Sequence, residues 1–194
     1  MYLLRISLYL CVLSCVALTS SCASMGGMQD SNDWSVVPKS YIDGLTAARD
    51  GQPKQAVKLF STTITAHPDF SPAYVNIGLQ YLKLKQYAAA EKSFKKSIAL
   101  KPDNAVSFHY LGVISRFNGD FSVAKSRYLK ALDLNPDYAE AHLNLGILQD
   151  LYLYEFVQAL HHYEKYQSLV QKKDGKVAKW IIDIKRRIAK SKKS

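Results

Sequence analysis

Residues 71–104 read SPAYVNIGLQYLKLKQYAAAEKSFKKSIALKPDN, and this stretch decides the fold. Tyr74, Ile77, Gly78, Tyr81, Ala90, Phe94 and Pro102 divide the work within it. Gly78 and Ala90 are small enough to let two helices approach closely. Phe94 fills the space between one unit and the next. Pro102 lacks an amide proton, so it ends a helix and redirects the chain, and Lys101-Pro102-Asp103 reads as a stop followed by a start.

Moving outward, the same columns recur every thirty-four residues. Gly44, Gly78, Gly112 and Gly146 keep that spacing, as do Pro68, Pro102 and Pro136. Ala56, Ala90 and Ala124 form a third column, and Phe60, Phe94 and Tyr128 a fourth. One period shared by four independent columns marks a repeat protein. The period and residue types resemble the tetratricopeptide repeat, a helix–turn–helix unit of this length. The resemblance implies an all-α, right-handed superhelical solenoid with four units at 37–70, 71–104, 105–138 and 139–173. In the first unit Ser40 and Asp43 occupy places usual for bulky apolar residues, which leads us to expect a frayed first helix. In the fourth, Ala159 and Tyr163 fall one residue late, so one residue has been inserted in the aromatic-rich turn around Leu151 to Glu155.

Residues 174–194 read as a basic amphipathic capping helix and tail. Trp180, Ile181, Ile184 and Ile188 share one stripe, with Lys179, Lys185, Arg186 and Lys190 elsewhere. A solenoid ends in an exposed apolar face, which such a helix would cover.

The N-terminus reads as an export signal over residues 1–21. Arg5 is the only charged side chain before Asp30, and it precedes an apolar run from Ile6 to Leu18, too short to span a bilayer, which takes roughly 20 helical residues. Leu18-Thr19-Ser20-Ser21-Cys22 resembles the lipobox of bacterial lipoproteins, with Thr19 where Leu is commonest. That resemblance implies acylation of Cys22 and a lipid anchor in the membrane. Ala23, with no Asp in its place, implies an outer-membrane address on the periplasmic face. Ordinary signal cleavage, giving a soluble periplasmic protein, and an uncleaved anchor are the alternatives. Residues 22–36, rich in small polar residues, read as a flexible tether.

Charge and motif content narrow the function classes. Twenty-six basic against sixteen acidic residues give a formal +10, but the excess is local: ten Lys or Arg against two acids lie in residues 172–194. A nearly neutral body with a basic tail argues against nucleic acid as a partner. Cys11, Cys15 and Cys22 are the only cysteines, leaving the repeats without a disulfide or thiolate metal site. His67, His109, His142, His161 and His162 lack metal-ligand spacing, since adjacent helical residues such as His161 and His162 diverge by about 100°. With no phosphate loop, nucleophile elbow or carboxylate pair, we expect no enzyme activity, metal, cofactor or small-molecule substrate.

The tetratricopeptide frame implies that the first helices line an inner groove. It places Tyr41, Leu45, Val75, Asn76, Leu79, Lys83, His109, Tyr110, Val113, Arg116, Phe117, Leu143, Asn144 and Ile147 there. Members that clamp a C-terminal carboxylate carry Lys and Asn at the first two offsets; this sequence carries neither there, so no such clamp is expected. What the frame leaves is an apolar trough in which Asn76 and Asn144 offer amides to a partner's backbone. The chain thus resembles small envelope lipoproteins of this repeat class, among them the pilotins of type IV pili. The expected function is a scaffold or adaptor that binds an apolar helix or extended segment of another envelope protein, in pilus or secretion assembly. The alternative is a self-assembling or fixed structural subunit with no free peptide-binding role.

Overall fold

The computed structural model describes residues 37–191. The expected export signal, Cys22 and the tether lie outside the described residues. Among those described are nine α-helices and no strand: α1 (Lys39–Arg49), α2 (Pro53–Ala66), α3 (Ser71–Lys83), α4 (Tyr87–Leu100), α5 (Ala105–Phe117), α6 (Phe121–Leu134), α7 (Ala139–Leu151), α8 (Phe156–Leu169) and α9 (Gly175–Ser191). They form an all-α solenoid of helix pairs, α1 with α2 through α7 with α8, and α9 packs on α8. No described helix is long and apolar enough to cross a membrane.

Each pair is locked by a glycine on its first helix and a ring on its second. A Cβ on Gly44, Gly78, Gly112 or Gly146 would sit 2.6, 2.9, 2.7 or 2.8 Å from Phe60, Phe94, Tyr128 or Tyr163. The rings lie flat on bare backbone, and all four are fully or almost fully buried. Each such side chain contributes about 1.5–3 kcal/mol through burial alone. Glycine and aromatic therefore recur together because neither fits without the other.

The turns inside the pairs share one left-handed residue: Gly51 (φ 72°), Lys85 (φ 58°), Gly119 (φ 86°) and Tyr154 (φ 56°). Two units place glycine where an L side chain is strained; the other two do not. The residue inserted in the fourth unit is taken up here, with four residues between α7 and α8 where three separate α5 from α6.

The first helix is complete from Lys39, which corrects the expectation of fraying. Its polar residues find partners: Ser40 Oγ lies 2.8 Å from Thr63 Oγ1, and Lys39 pairs with Asp43 at 2.6 Å. At the other end, Val177 and Ile184 of α9 are buried, and Trp180 packs 5.6 Å from the Tyr163 ring. Arg187 reaches back from α9 to the buried Asp150 on α7 at 2.6 Å, while Tyr163 Oη donates to the same carboxylate.

First helices approach one another across units, α1 touching α3 and α5 touching α7, with no comparable approach among α2, α4, α6 and α8. The first helices therefore form the inner side and the second helices the outer.

Candidate partner-binding surface

Residues of the inner side come from one face of α1, α3, α5 and α7. Tyr41, Val75, Leu79, Tyr110, Val113, Leu143 and Ile147 are half-buried, and each packs against one of the cores between units. Leu45, 37% exposed, and Phe117, 64% exposed, face solvent more openly, as does Lys83. The apolar strip is real, but much of its area already serves to join units.

The two asparagines are engaged within the fold, which corrects their expected role. Asn76 Nδ2 donates to Tyr41 Oη at 2.8 Å and to the Pro72 carbonyl at 3.0 Å. Asn144 Nδ2 donates to His109 Nε2 at 3.0 Å and to the Glu140 carbonyl at 2.9 Å. Both protons of each amide are spent, leaving none for a partner's backbone. The bonds to Tyr41 and His109 link residues thirty-five apart, from a position in one unit to the next position of the following unit. Lys83 Nζ makes a third link of this kind, donating to the Ala48 carbonyl at 3.4 Å, and Arg116 donates to Asn144 Oδ1 at 3.5 Å.

His109, also placed on the groove by the frame, is 2% exposed and cannot touch a partner directly. With Nε2 accepting from Asn144, the proton sits on Nδ1, which donates to Tyr138 Oη at 3.1 Å. Burial, and secondarily the Arg116 guanidinium, push its pKa down to about 4. A neutral imidazole thus braces the wall. Among the described residues no three His, Cys, Asp or Glu side chains converge as a metal site.

A recess lies at the edge of the inner side, where the first helices end. Val113, Arg116 and Phe117 line this recess of about 380 Å3 with Tyr87, Gly119, Phe121 and Tyr152. Here a ring at the start of α4, α6 and α8 meets a side chain from the next element. Tyr87 stacks on Phe117 at 4.2 Å, Phe121 meets Tyr152 at 4.5 Å, and the Arg187 guanidinium lies 4.7 Å over Phe156. Tyr154, 71% exposed, and the exposed Leu151 extend the row. The sequence reading did not place Tyr87 or Phe121 in a site. Their signal was there to find: Tyr87, Phe121 and Phe156 recur at the repeat spacing once the inserted residue is allowed for.

Fold and surface together define a tetratricopeptide-repeat solenoid, a class whose surfaces serve contact between proteins. Residues 71–104 match the family model described as Tetratricopeptide repeat, and residues 118–149 match one described as TPR repeat. No curated protein matches the sequence. Among solved structures, MamA from Desulfovibrio magneticus RS-1 is similar at 25% identity and a TM-score of 0.60, over 67% of this chain and 73% of that one. The Pseudomonas aeruginosa protein pilF is similar at 20% identity with a TM-score of 0.68, over 78% of this chain and 68% of that one. The first TPR of Spaghetti, bound to an HSP90 peptide, shares 22% identity at a TM-score of 0.55, over 57% of this chain and 88% of that one. For the last two, the likeness is one of fold.

Proposed function

We propose that this chain is a non-enzymatic adaptor of the bacterial cell envelope. It would be held by a lipid on Cys22 to the periplasmic face of the outer membrane and would bind an apolar helix or extended segment of another envelope protein. The observation that carries the reading is the recess at Val113, Arg116 and Phe117. It opens from the inner side onto a row of exposed rings, and a contiguous apolar edge of this kind marks a contact surface. Arg116, rimming the recess, offers a cation beside the apolar strip. The lipobox-like stretch supports the anchor, and a role in pilus or secretion assembly is the particular pathway we favour.

Crosslinked capture of the full-length protein from its native envelope tests the reading, run beside Cys22→Ala and beside Leu79→Asp combined with Val113→Asp. The expected result is a defined set of envelope proteins, relocated by Cys22→Ala and lost with the double variant while helical circular dichroism is kept. Partner recovery that the double variant leaves unchanged would overturn the inner surface as the binding site. Recovery of only the chain itself would replace the adaptor with a self-assembling subunit.

A further inference from the structure

The outer side of the solenoid carries three equivalent clefts, each between the second helices of neighbouring units and floored by the later unit's first helix. In two of them a side chain of the later second helix reaches down to the floor. Arg127 on α6 spans the middle one: it donates to the Leu111 carbonyl at 3.0 Å and to Ser115 Oγ, both on α5, and lies 3.8 Å from Glu91 on α4. In the last cleft His162 on α8 holds the same position once the inserted residue is allowed for, and its Nδ1 meets His142 Nδ1 of α7 at 2.9 Å. His142 Nε2 donates to the Pro136 carbonyl, so the shared proton is carried by His162.

One repeat before Arg127, the same position in the first cleft is Ser93. Its hydroxyl turns back to the Ala89 carbonyl of its own helix at 2.8 Å. Among the described residues Ser93 makes no bond to α3 or α2, and an open cavity of about 800 Å3 remains, with Ile64, Ile77 and Tyr81 in its walls. Lys92 and Lys96 stand at its rim one turn apart on α4, both exposed. Neither ammonium is ion-paired among the described residues, and no acidic side chain lines the cavity.

We propose that this cleft is a second docking site, separate from the inner surface, which takes an acidic amphipathic helix. The apolar walls receive a large aliphatic or aromatic side chain. Carboxylates four residues apart on the guest are separated by about 6 Å along its axis, matching the rise between Lys92 and Lys96 on α4. Two uncompensated cations beside an apolar cavity favour anionic over neutral or basic guests, through encounter rate as well as affinity. In the neighbouring clefts Arg127 and His162 stand at the position Ser93 leaves open, so the site is confined to the first two units.

The test is a selection of displayed random peptides of about 16 residues, roughly four helical turns, on the full chain. It is repeated on Ser93→Arg, on Lys92→Glu with Lys96→Glu, and on Leu79→Asp with Val113→Asp. Ser93→Arg copies the plug found in the next unit. It adds positive charge while filling the space, so attraction alone would strengthen capture of acidic peptides and occupancy of the cavity would weaken it. The expected result is a family of peptides with acids four apart flanking an apolar residue. Their binding falls roughly tenfold or more on Ser93→Arg and on the lysine variant and persists on the inner-surface variant. Peptides that bind Ser93→Arg as well as wild type would overturn the proposal. So would winners that are basic or uncharged, or no winners that depend on the cleft. Lys92 and Lys96 are exposed, so their variant keeps the test decisive if Ser93→Arg fails to fold.

Discussion

Gly112→Ala should destabilise the protein although it puts a better helix former inside a helix. The added Cβ would stand 2.7 Å from both Cδ1 and Cε1 of Tyr128, about 1 Å inside ordinary carbon–carbon contact. Tyr128 cannot step aside: its ring is fully buried, packed in a core with Leu132 and Leu145 and 5.8 Å from the His109 ring. Overpacking a well-filled core costs about 1–3 kcal/mol, and Ala over Gly in a helix returns about 1 kcal/mol. With two ring atoms overlapped, the upper part of that range applies and the net loss is about 1–2 kcal/mol. Urea unfolding followed by far-ultraviolet circular dichroism measures it. Repeating the substitution in a Tyr128→Leu background removes the rigid ring, and there Ala should be neutral or favourable by up to about 1 kcal/mol. A Gly112→Ala protein as stable as wild type would refute the claim that ring-on-backbone packing fixes the glycine column.

Further outcomes follow from single features. Lys85→Gly relieves a left-handed lysine (φ 58°) at the position where other units carry Gly51 and Gly119, and should raise stability by about 0.5–1 kcal/mol after the unfolded-chain entropy of glycine is set against the strain; a lower melting temperature would contradict this. Gln80 is buried with Oε1 unpartnered where the next units carry Ile114 and Leu148, so Gln80→Leu should stabilise by about 1 kcal/mol or more in the same urea assay. The pKa of His109 falls from 6.5 to about 4 on folding, so its contribution is full above pH 6.5 and is lost as pH falls toward 4. The stability gap between wild type and His109→Gln should narrow over that window by up to about 3 kcal/mol, and a constant gap would show that His109 titrates normally. Arg187→Met leaves the Asp150 carboxylate buried without its cation and should cost about 3 kcal/mol; proteolysis just before α9 should quicken, and an unchanged cleavage rate would count against that link.

Much of the fold could be read from residue types because the packing admits so few. Only glycine tolerates a ring at 2.6–2.9 Å, and only an aromatic fills the space opposite, so both columns appear in the sequence. Lys85 and Tyr154 could not be read as left-handed residues, since nothing in either type announces that conformation. The inner-side positions were legible from the repeat frame, but their availability was not. Asn76 and Asn144 are occupied because Tyr41 and His109 happen to stand across from them in the preceding units, a pairing between units that no periodicity encodes. The open outer cleft is not legible in the sequence for the opposite reason: it follows from Ser93 being too short to reach its neighbours, which shows only beside Arg127 and His162 in place.

The links on the inner side are not evenly distributed. Units one and two are tied by Asn76 to Tyr41 and Lys83 to Ala48, and units three and four by Asn144 to His109 and Arg116 to Asn144. Between units two and three the corresponding inner-side places hold Val75, Tyr110 and Phe117, with Phe94 and Tyr110 stacked 5.5 Å apart at 10°, and the buried bond from Ser107 Oγ to Ser97 Oγ at 3.1 Å lies away from these places. A hydrogen bond weakens steeply with misalignment, whereas parallel rings and aliphatic chains can slide over one another at little cost. Across that same seam, on the outer side, Arg127 holds Glu91. Mechanically, the solenoid is a book of two stiff boards bound along its spine: a thick guest on the inner side would part the pages at the middle and leave both covers flat.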